Sequence, residues 1–149
     1  MRHCLLAIGL VAVLLTAAAL PALGCWADVP LETVVKDSPV IVVGKIERVE
    51  LPDPPEPSDA RRLDIGHIKV RKVLKNTLKD FELAPGDTIP LAMPSSLNKM
   101  RMSTDLYYKE GTDGVWILDR KDGKFRATYP KDHQPLEKLD EVLKAIKGE

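Results

Sequence analysis

The sequence predicts a mainly β fold: a small barrel of bent strands with a short N-terminal helix and a C-terminal amphipathic helix. Two long segments, residues 39–51 and 62–74, contain many β-branched residues, and each has one internal glycine where the strand pattern changes. Long strands that bend at a glycine suit a small closed barrel better than a flat sheet. An Asp-Gly turn and an apolar stripe near the C-terminus complete the pattern.

The composition is that of an ordinary globular protein. The chain has 149 residues, of which 44% are hydrophobic and 30% charged, with 22 basic and 22 acidic side chains. This balance argues against a nucleic-acid partner, because such proteins carry a basic excess. The charge is unevenly distributed, since Arg2 is the single Lys, Arg, Asp or Glu within residues 1–24.

Residues 1–24 have the three-part pattern of a secretory signal peptide. A short basic region is followed by an apolar run, and small residues stand at positions 22 and 24, just before Cys25. The run is shorter than the roughly 20 residues that a transmembrane helix needs. We expect export, cleavage after Gly24 and one mature domain over residues 25–149; an uncleaved anchor is the alternative. The expected location is periplasmic, membrane-anchored or secreted.

Cys25 would be the first residue and the single cysteine of the mature chain. An odd cysteine in an exported protein needs an explanation, because it cannot form an internal disulfide. Residues 22–25 resemble a bacterial lipobox, so one hypothesis is lipid attachment at Cys25 and thereby a membrane anchor. The other is ordinary cleavage that leaves a free or intermolecularly paired thiol.

The first mature elements are a short helix and two long strands. Asp28 is the candidate helix cap, and Ser38-Pro39 ends the helix because a residue before proline avoids helical geometry. The first strand covers residues 39–51 with a bend at Gly44. In the second strand we expect a bulge at Gly66, where the apolar face changes between two pairs of residues, Leu63 with Ile65 and Ile68 with Val70.

The rest of the chain reads as loops, short strands and a final helix. Residues 52–59 form a proline-rich surface connection, and Pro90 marks the strand at 88–93 as edge-like. Residues 94–110 are irregular, and Asp122-Gly123 predicts a hairpin with a type I′ turn. The helix over 135–147 docks on the barrel through one apolar stripe, made of Leu136, Leu139, Val142, Leu143 and Ile146.

Sequence motifs for catalysis are nearly absent. There is no Cys-x-x-Cys, no His-Glu-x-x-His, no phosphate-binding glycine loop and no nucleophile elbow. His67 and His133 are the histidines of the mature chain, and His67 could pair with Asp64, although a solvated histidine on a strand face is commoner. We therefore expect no catalytic residue, no metal ion and no cofactor, and hence not an enzyme.

The irregular segment and its surroundings carry the candidate contact residues. Met100 and Met102 could bind Cu(I) together with Met93, but flexible packing of a methionine-rich loop is the simpler interpretation. Tyr107 and Tyr108 offer aromatic contacts. Trp26, Met100, Met102, Tyr107 and Tyr108 are the candidate binding residues, and Trp116 is expected in the core.

The order of these elements resembles the netrin-like module, the oligonucleotide/oligosaccharide-binding (OB) barrel that tissue inhibitors of metalloproteases also use. The resemblance implies an OB-like fold. It also implies that the mature N-terminal cysteine could chelate a protease zinc through its backbone. The expected mature chain departs from the inhibitors because it would begin Cys25-Trp26-Ala27 and lacks the second cysteine of their Cys-x-Cys start. The residues that carry the resemblance are Cys25, 38–46, 68–75, 85–87 and 114–118.

These observations predict an exported, envelope-associated binding module without catalytic activity. Its partner would be an envelope or extracellular protein or a small ligand, contacted through the barrel face and the 94–110 segment, since loops on rigid scaffolds often carry recognition. The alternative function is a metalloprotease inhibitor that acts through Cys25.

Overall fold

The computed structural model describes residues 26–51, 62–99 and 101–148. The predicted signal peptide, Cys25, the proline-rich connection 52–59 and Met100 lie outside the described residues. The elements in chain order are α1 (Leu31–Asp37), β1 (Val40–Glu50), β2 (Leu63–Asn76), β3 (Thr88–Pro94), β4 (Asp113–Lys121), β5 (Lys124–Arg126), β6 (His133–Gln134) and α2 (Leu139–Lys147), with 3-10 turns at Pro130–Asp132 and Leu136–Lys138.

Five strands close into a barrel in the order β1-β2-β3-β5-β4, because β1 pairs with β4 as well as with β2. Four of the five contacts are antiparallel, whereas β3 meets β5 in parallel through the pair Leu91 and Phe125. The two-residue strand β6, which the sequence pattern does not reveal, pairs with β4. The expected class is confirmed: a mainly β protein with a small OB-like barrel and two flanking helices.

The bend in β1 occurs where the sequence predicts it. The register between β1 and β2 shifts between Val43 and Gly44, and again on either side of this position. A side chain at Gly44 would not fit, since a Cβ there would lie 2.6 Å from the carbonyl oxygen of Lys69. The glycine therefore allows the two strands to approach closely at the bend.

The expected bulge at Gly66 is wrong. The strand β2 alternates regularly through this region, and its pairing with β3 has no register shift. The register shift nearest Gly66 lies between Ile46 and Arg48, so the extra residue belongs to β1. Asp64, Gly66, Ile68 and Val70 all point inward and are buried. The sequence pattern misled because a charged residue, Asp64, occupies an inward position, so the apolar residues flanking it appear to change face.

Each of the five barrel strands contributes side chains to the barrel interior. Trp116 is fully buried, and its indole nitrogen donates a hydrogen bond of 2.9 Å to the carbonyl oxygen of Gly44. This bond satisfies the indole donor inside the barrel and ties β4 to the bend of β1. The buried interior residues are Val40, Val42, Ile46, Ile68, Val70, Ile89, Leu91, Trp116, Leu118, Phe125 and Ala127.

A second apolar layer lies between the outer face of the barrel and the two helices. Val35 of α1 and Val142 of α2 pack here against the outward residues of β1 and β4. The run Val40–Val43 is therefore buried on both of its faces, which explains why it does not alternate. Trp116 and its neighbour Ile117 are both buried for the same reason, one inside the barrel and one beneath the helices.

The helix ends differ from the sequence expectation in two places. Pro30, not Asp28, occupies the position that caps α1, and no side chain caps it. Asp28 instead pairs with Lys131. Leu136 does not join the apolar stripe, since it lies in a 3-10 turn before α2 and is 39% exposed.

The hairpin between β4 and β5 is as predicted. Asp122 and Gly123 have φ values of 52° and 74°, so both central residues of the turn adopt the left-handed conformation that a type I′ turn requires.

Candidate binding surface

The segment between β3 and β4, hereafter the 95–112 loop, is held firmly where it leaves β3. Ser95 N donates to the carbonyl oxygen of Arg62 at 3.0 Å. Asn98 makes two hydrogen bonds to the backbone of Arg62, at 3.0 and 3.1 Å. Ser96 donates from its backbone nitrogen and its hydroxyl to Oδ2 of the buried Asp64. The beginning of the loop is thus bound to the first residues of β2 and the residue before them.

The other end of the loop is held by β1 and by the barrel core. Gly111 N donates to the carbonyl oxygen of Ile46, and Ile46 N donates to Thr112. Tyr108 packs its ring edge-on against Trp116 at 5.0 Å between centroids. Burial, and secondarily the charge of Asp132, raises the pKa of Tyr108, so its phenol stays neutral. Tyr108 is therefore a packing residue more than a contact residue.

The outer side of the loop exposes apolar and basic side chains. Leu97 is 50% exposed and Met102 is 56% exposed, which makes them two of the four large hydrophobic residues most accessible in the described chain. Arg101 lies between them in sequence, is exposed, and donates to the carbonyl oxygen of Ser96 at 3.1 Å. The loop therefore presents apolar groups and a cation on a base that is fixed at both ends.

The loop encloses little space of its own. A cavity of about 30 Å³ lies among Tyr107, Arg101, Asp105 and the residues at the end of β3. This is room for about one water molecule. A wider open groove of about 320 Å³ lies at the far end of the loop, between β1 and Glu110, and Lys45 and Glu47 line it.

A second feature lies away from the loop, at the start of the described chain. Tyr129 accepts a hydrogen bond from Val29 N at 2.9 Å and donates one to the carbonyl oxygen of Ala27 at 2.8 Å. Trp26 meets the Tyr129 ring edge-on at 5.5 Å. We call this arrangement, residues 26–29 with Tyr129 and Lys131, the N-terminal clamp.

Lys131 adds an ionic contact to the N-terminal clamp. Its ammonium group donates to Asp28 Oδ1 at 2.7 Å and to the carbonyl oxygen of Val29 at 2.6 Å. The hydrogen bond to Asp28 raises the pKa of Lys131, which keeps the side chain charged. The chain is therefore fixed to the fold from Trp26 onward.

Asp132 shapes the turn that carries Tyr129 and Lys131. Its Oδ2 accepts hydrogen bonds from the backbone nitrogens of Thr128 at 2.7 Å and Tyr129 at 2.8 Å. Burial raises the pKa of Asp132 to about 6, although these two bonds favour the charged form. The sequence analysis did not single out Asp132. The available signal was the order Tyr-Pro-Lys-Asp, because proline favours a tight turn and a following aspartate can accept hydrogen bonds from the backbone of that turn.

The histidines lie in packed surroundings. His133 has the rings of Trp116 and Tyr108 at 4.5 and 5.6 Å, and its Nε2 lies 3.2 Å from the carbonyl oxygen of Asp113. Burial lowers the pKa of His133, so the ring is neutral at neutral pH. The suggested pairing of His67 with Asp64 is wrong: the two alternate to opposite faces of β2, and His67 Nε2 lies 3.2 Å from Glu50 Oε2.

The predicted site residues fall into separate places. Met102, Tyr107 and Tyr108 share the 95–112 loop, whereas Trp26 lies in the N-terminal clamp; Cys25 and Met100 are outside the described residues. Met93 is 2% exposed and its sulfur accepts a hydrogen bond from Tyr108 N, so it does not share the solvent-exposed environment of Met102. Leu97 and Arg101 were not among the predicted binding residues. The local sequence does not distinguish an exposed leucine such as Leu97 from a buried one.

Comparison with known proteins assigns no family. No protein-family model matches the chain, and no curated protein matches it. Across residues 26–51, 62–99 and 101–148, no three His, Cys, Asp or Glu side chains are grouped to hold a metal ion. Within the same described ranges, no helix has the length and hydrophobicity to cross a bilayer.

Proposed function

We propose that this protein is an exported, envelope-associated binding module without catalytic activity, and that its contact surface is the outer side of the 95–112 loop. The observation that carries the proposal is the exposure of Leu97 and Met102 on a loop whose two ends are hydrogen-bonded to β1 and β2. The netrin-like module suggested by the sequence is part of this proposal, and the OB-like barrel is compatible with it.

The fixed base of the loop favours recognition. Binding costs conformational entropy when a loop must become ordered, and a loop that is already held avoids much of that cost. Methionine and arginine, here Met102 and Arg101, are among the residue types enriched at interfaces, and Leu97 adds exposed apolar surface to the same loop.

The size of the loop cavity supports a macromolecular partner over a small ligand. Sites for drug-sized ligands occupy about 300–1,000 Å³. The cavity enclosed by the loop has about a tenth of the lower limit, at about 30 Å³. The groove of about 320 Å³ at the far end of the loop is large enough, but it is open and lined mainly by the charged Lys45, Glu47 and Glu110, whereas such sites have mostly apolar walls. Contact across the outer surface of the loop is therefore favoured, with an envelope or extracellular protein as the partner.

A matched pair of variants tests this proposal. Leu97→Ser with Met102→Ser removes the apolar groups of the loop, while Leu51→Ser with Leu136→Ser removes two comparably exposed leucines elsewhere. After crosslinking in the exporting host, we expect the loop variant to lose the partner that the wild type and the control variant retain. Equal partner recovery by all three proteins would refute the proposal.

Metalloprotease inhibition is the second candidate. The N-terminal clamp favours it, because it fixes the backbone immediately after Cys25, as presentation of an N-terminal chelating group would require. Protein that begins with an unmodified Cys25 should then inhibit a metalloprotease, and acetylation of its amino group should abolish the inhibition. Absence of inhibition across a protease panel would exclude this candidate.

A further inference from the structure

The N-terminal clamp binds the described chain to the barrel from its first residue, Trp26. Residues 26–29 are bound through the Tyr129 hydroxyl and the Lys131 ammonium group, and Trp26 packs on the Tyr129 ring. Consecutive Cα atoms are about 3.8 Å apart. A group attached at Cys25 therefore starts one residue from the folded domain.

Both proposed forms of membrane attachment bring the bilayer to this place. A lipid on Cys25 would insert next to Trp26. An uncleaved apolar segment ends at Leu23, three residues before Trp26, which an extended chain spans in about 10 Å. The clamped face then lies within about 10 Å of the membrane, a gap too narrow for a second folded domain.

We propose that the Trp26–Tyr129 face rests on the lipid headgroups and that the N-terminal clamp holds the barrel in one orientation on the membrane. The inference rests on the membrane association proposed above. Tryptophan and tyrosine rings are enriched at the membrane interface, where an apolar body and a polar tip are both accommodated. Trp26 and Tyr129 are partly exposed, so their rings are available to the headgroup region.

The charge of the face indicates which lipids it accepts. Lys131 and Asp28 neutralise each other at 2.7 Å, so this pair contributes no net charge to the surface. Attraction between Lys131 and anionic headgroups is thereby reduced, unlike that of a polybasic segment. We therefore expect the contact to form on zwitterionic phosphatidylcholine and to be insensitive to salt.

Tryptophan fluorescence tests the contact directly. The full chain is isolated from membranes of the exporting host and reconstituted in phosphatidylcholine vesicles with or without brominated acyl chains, which quench nearby indoles. Trp116 is fully buried in the barrel, so Trp26 should account for the quenching. We expect brominated lipid to reduce the emission of the wild type and to leave that of Trp26→Phe nearly unchanged.

The fixed orientation has its own readout. In the Trp26→Phe background Trp116 is the single indole, and its fluorescence anisotropy reports rotation of the barrel. Adding Tyr129→Phe and Lys131→Gln should introduce fast rotation on the vesicle that the clamped protein lacks, while an unchanged Trp116 emission maximum shows that the core stays folded. Equal anisotropy decays with and without the clamp would overturn the fixed orientation.

The outcomes separate this inference from the proposed function. Protein that washes off membranes and vesicles would contradict the proposed membrane association itself. Protein that stays on the vesicles while brominated lipid fails to quench Trp26 would contradict the inference alone, and would leave the clamped face free for a protein contact.

Discussion

Ser96 donates two hydrogen bonds to one carboxylate oxygen of Asp64, from its backbone nitrogen at 3.1 Å and from its hydroxyl at 3.2 Å. Asp64 is fully buried, and within the described residues its other oxygen has no hydrogen-bond partner. The geometry places a carboxylate inside the barrel wall where it holds the beginning of the 95–112 loop.

Asp64→Ala should loosen the loop. It removes the acceptor of both Ser96 donors, and each lost hydrogen bond costs about 0.5–1.5 kcal/mol. We expect a lower free energy of unfolding in urea and faster hydrogen exchange at the Ser96 amide. Asp64→Asn, which keeps an acceptor oxygen, is the control. An unchanged Ser96 exchange rate in Asp64→Ala would show that the carboxylate does not hold the loop.

Gly114→Ala should destabilise the barrel more than Gly66→Ala. A Cβ at Gly114 would meet the carbonyl oxygen of Gln134 and lie 2.5 Å from His133 Nε2. A Cβ at Gly66 would meet two side-chain methyl groups at 3.4 Å, which can move. Overpacking of a rigid site costs about 1–3 kcal/mol. Thermal unfolding of both variants checks this order, and equal melting temperatures would contradict it.

Stability should fall as the pH rises through the titration of Asp132. Burial raises the pKa of Asp132 to about 6 in the folded protein, above the ordinary aspartate value of 3.8. Between these values the folded state binds more protons than the unfolded state, so the free energy of unfolding decreases with increasing pH. One pKa unit corresponds to about 1.4 kcal/mol, which limits the effect to about 3 kcal/mol.

Asp132→Asn isolates this contribution, because its amide oxygen can still accept from Thr128 N and Tyr129 N. The measurement is the difference in unfolding free energy between wild type and variant at several pH values. The contributions of the other carboxylates to the pH dependence are common to both proteins and cancel in this difference. We expect the wild type to lose stability relative to the variant from about pH 4 to pH 6. A difference that is constant with pH would exclude a raised pKa.

Tyr129→Phe should release the first residues of the clamp. The phenol oxygen both accepts from Val29 N and donates to the Ala27 carbonyl, so one deletion removes two hydrogen bonds. At about 1 kcal/mol each, the expected loss is about 2 kcal/mol of local stability. Hydrogen exchange at Val29 measures it. Tyr107→Phe removes the hydroxyl of a tyrosine in the 95–112 loop, away from the clamp, and should leave Val29 protected.

Local patterns in the sequence predict the elements that depend on local chemistry. The Asp122-Gly123 turn, the bend at Gly44 and the end of α1 at Ser38 follow from backbone preferences of the residues themselves, and they are confirmed. The burial of Val40–Val43 can also be predicted from the sequence, because four consecutive apolar residues in a strand must be covered on both faces.

Features that depend on distant partners could not be predicted in this way. Asp64 resembles a surface residue until Ser96 is seen to bind it, and this inward aspartate made Gly66 look like a bulge. Asp28 has the composition of a helix cap, but Lys131 is its actual partner, more than a hundred residues away. The exposure of Leu97 likewise depends on how the loop is fixed to Arg62.

The central claim is that the outer side of the 95–112 loop is the contact surface, and site-specific photocrosslinking in the exporting host tests it most directly. A photoreactive phenylalanine is placed at Leu97 or Met102, and at Leu136 as an exposed position outside the loop. The account predicts one discrete crosslinked product from both loop positions and none from Leu136. Equal crosslinking at Leu136, or none at the loop positions, would contradict it.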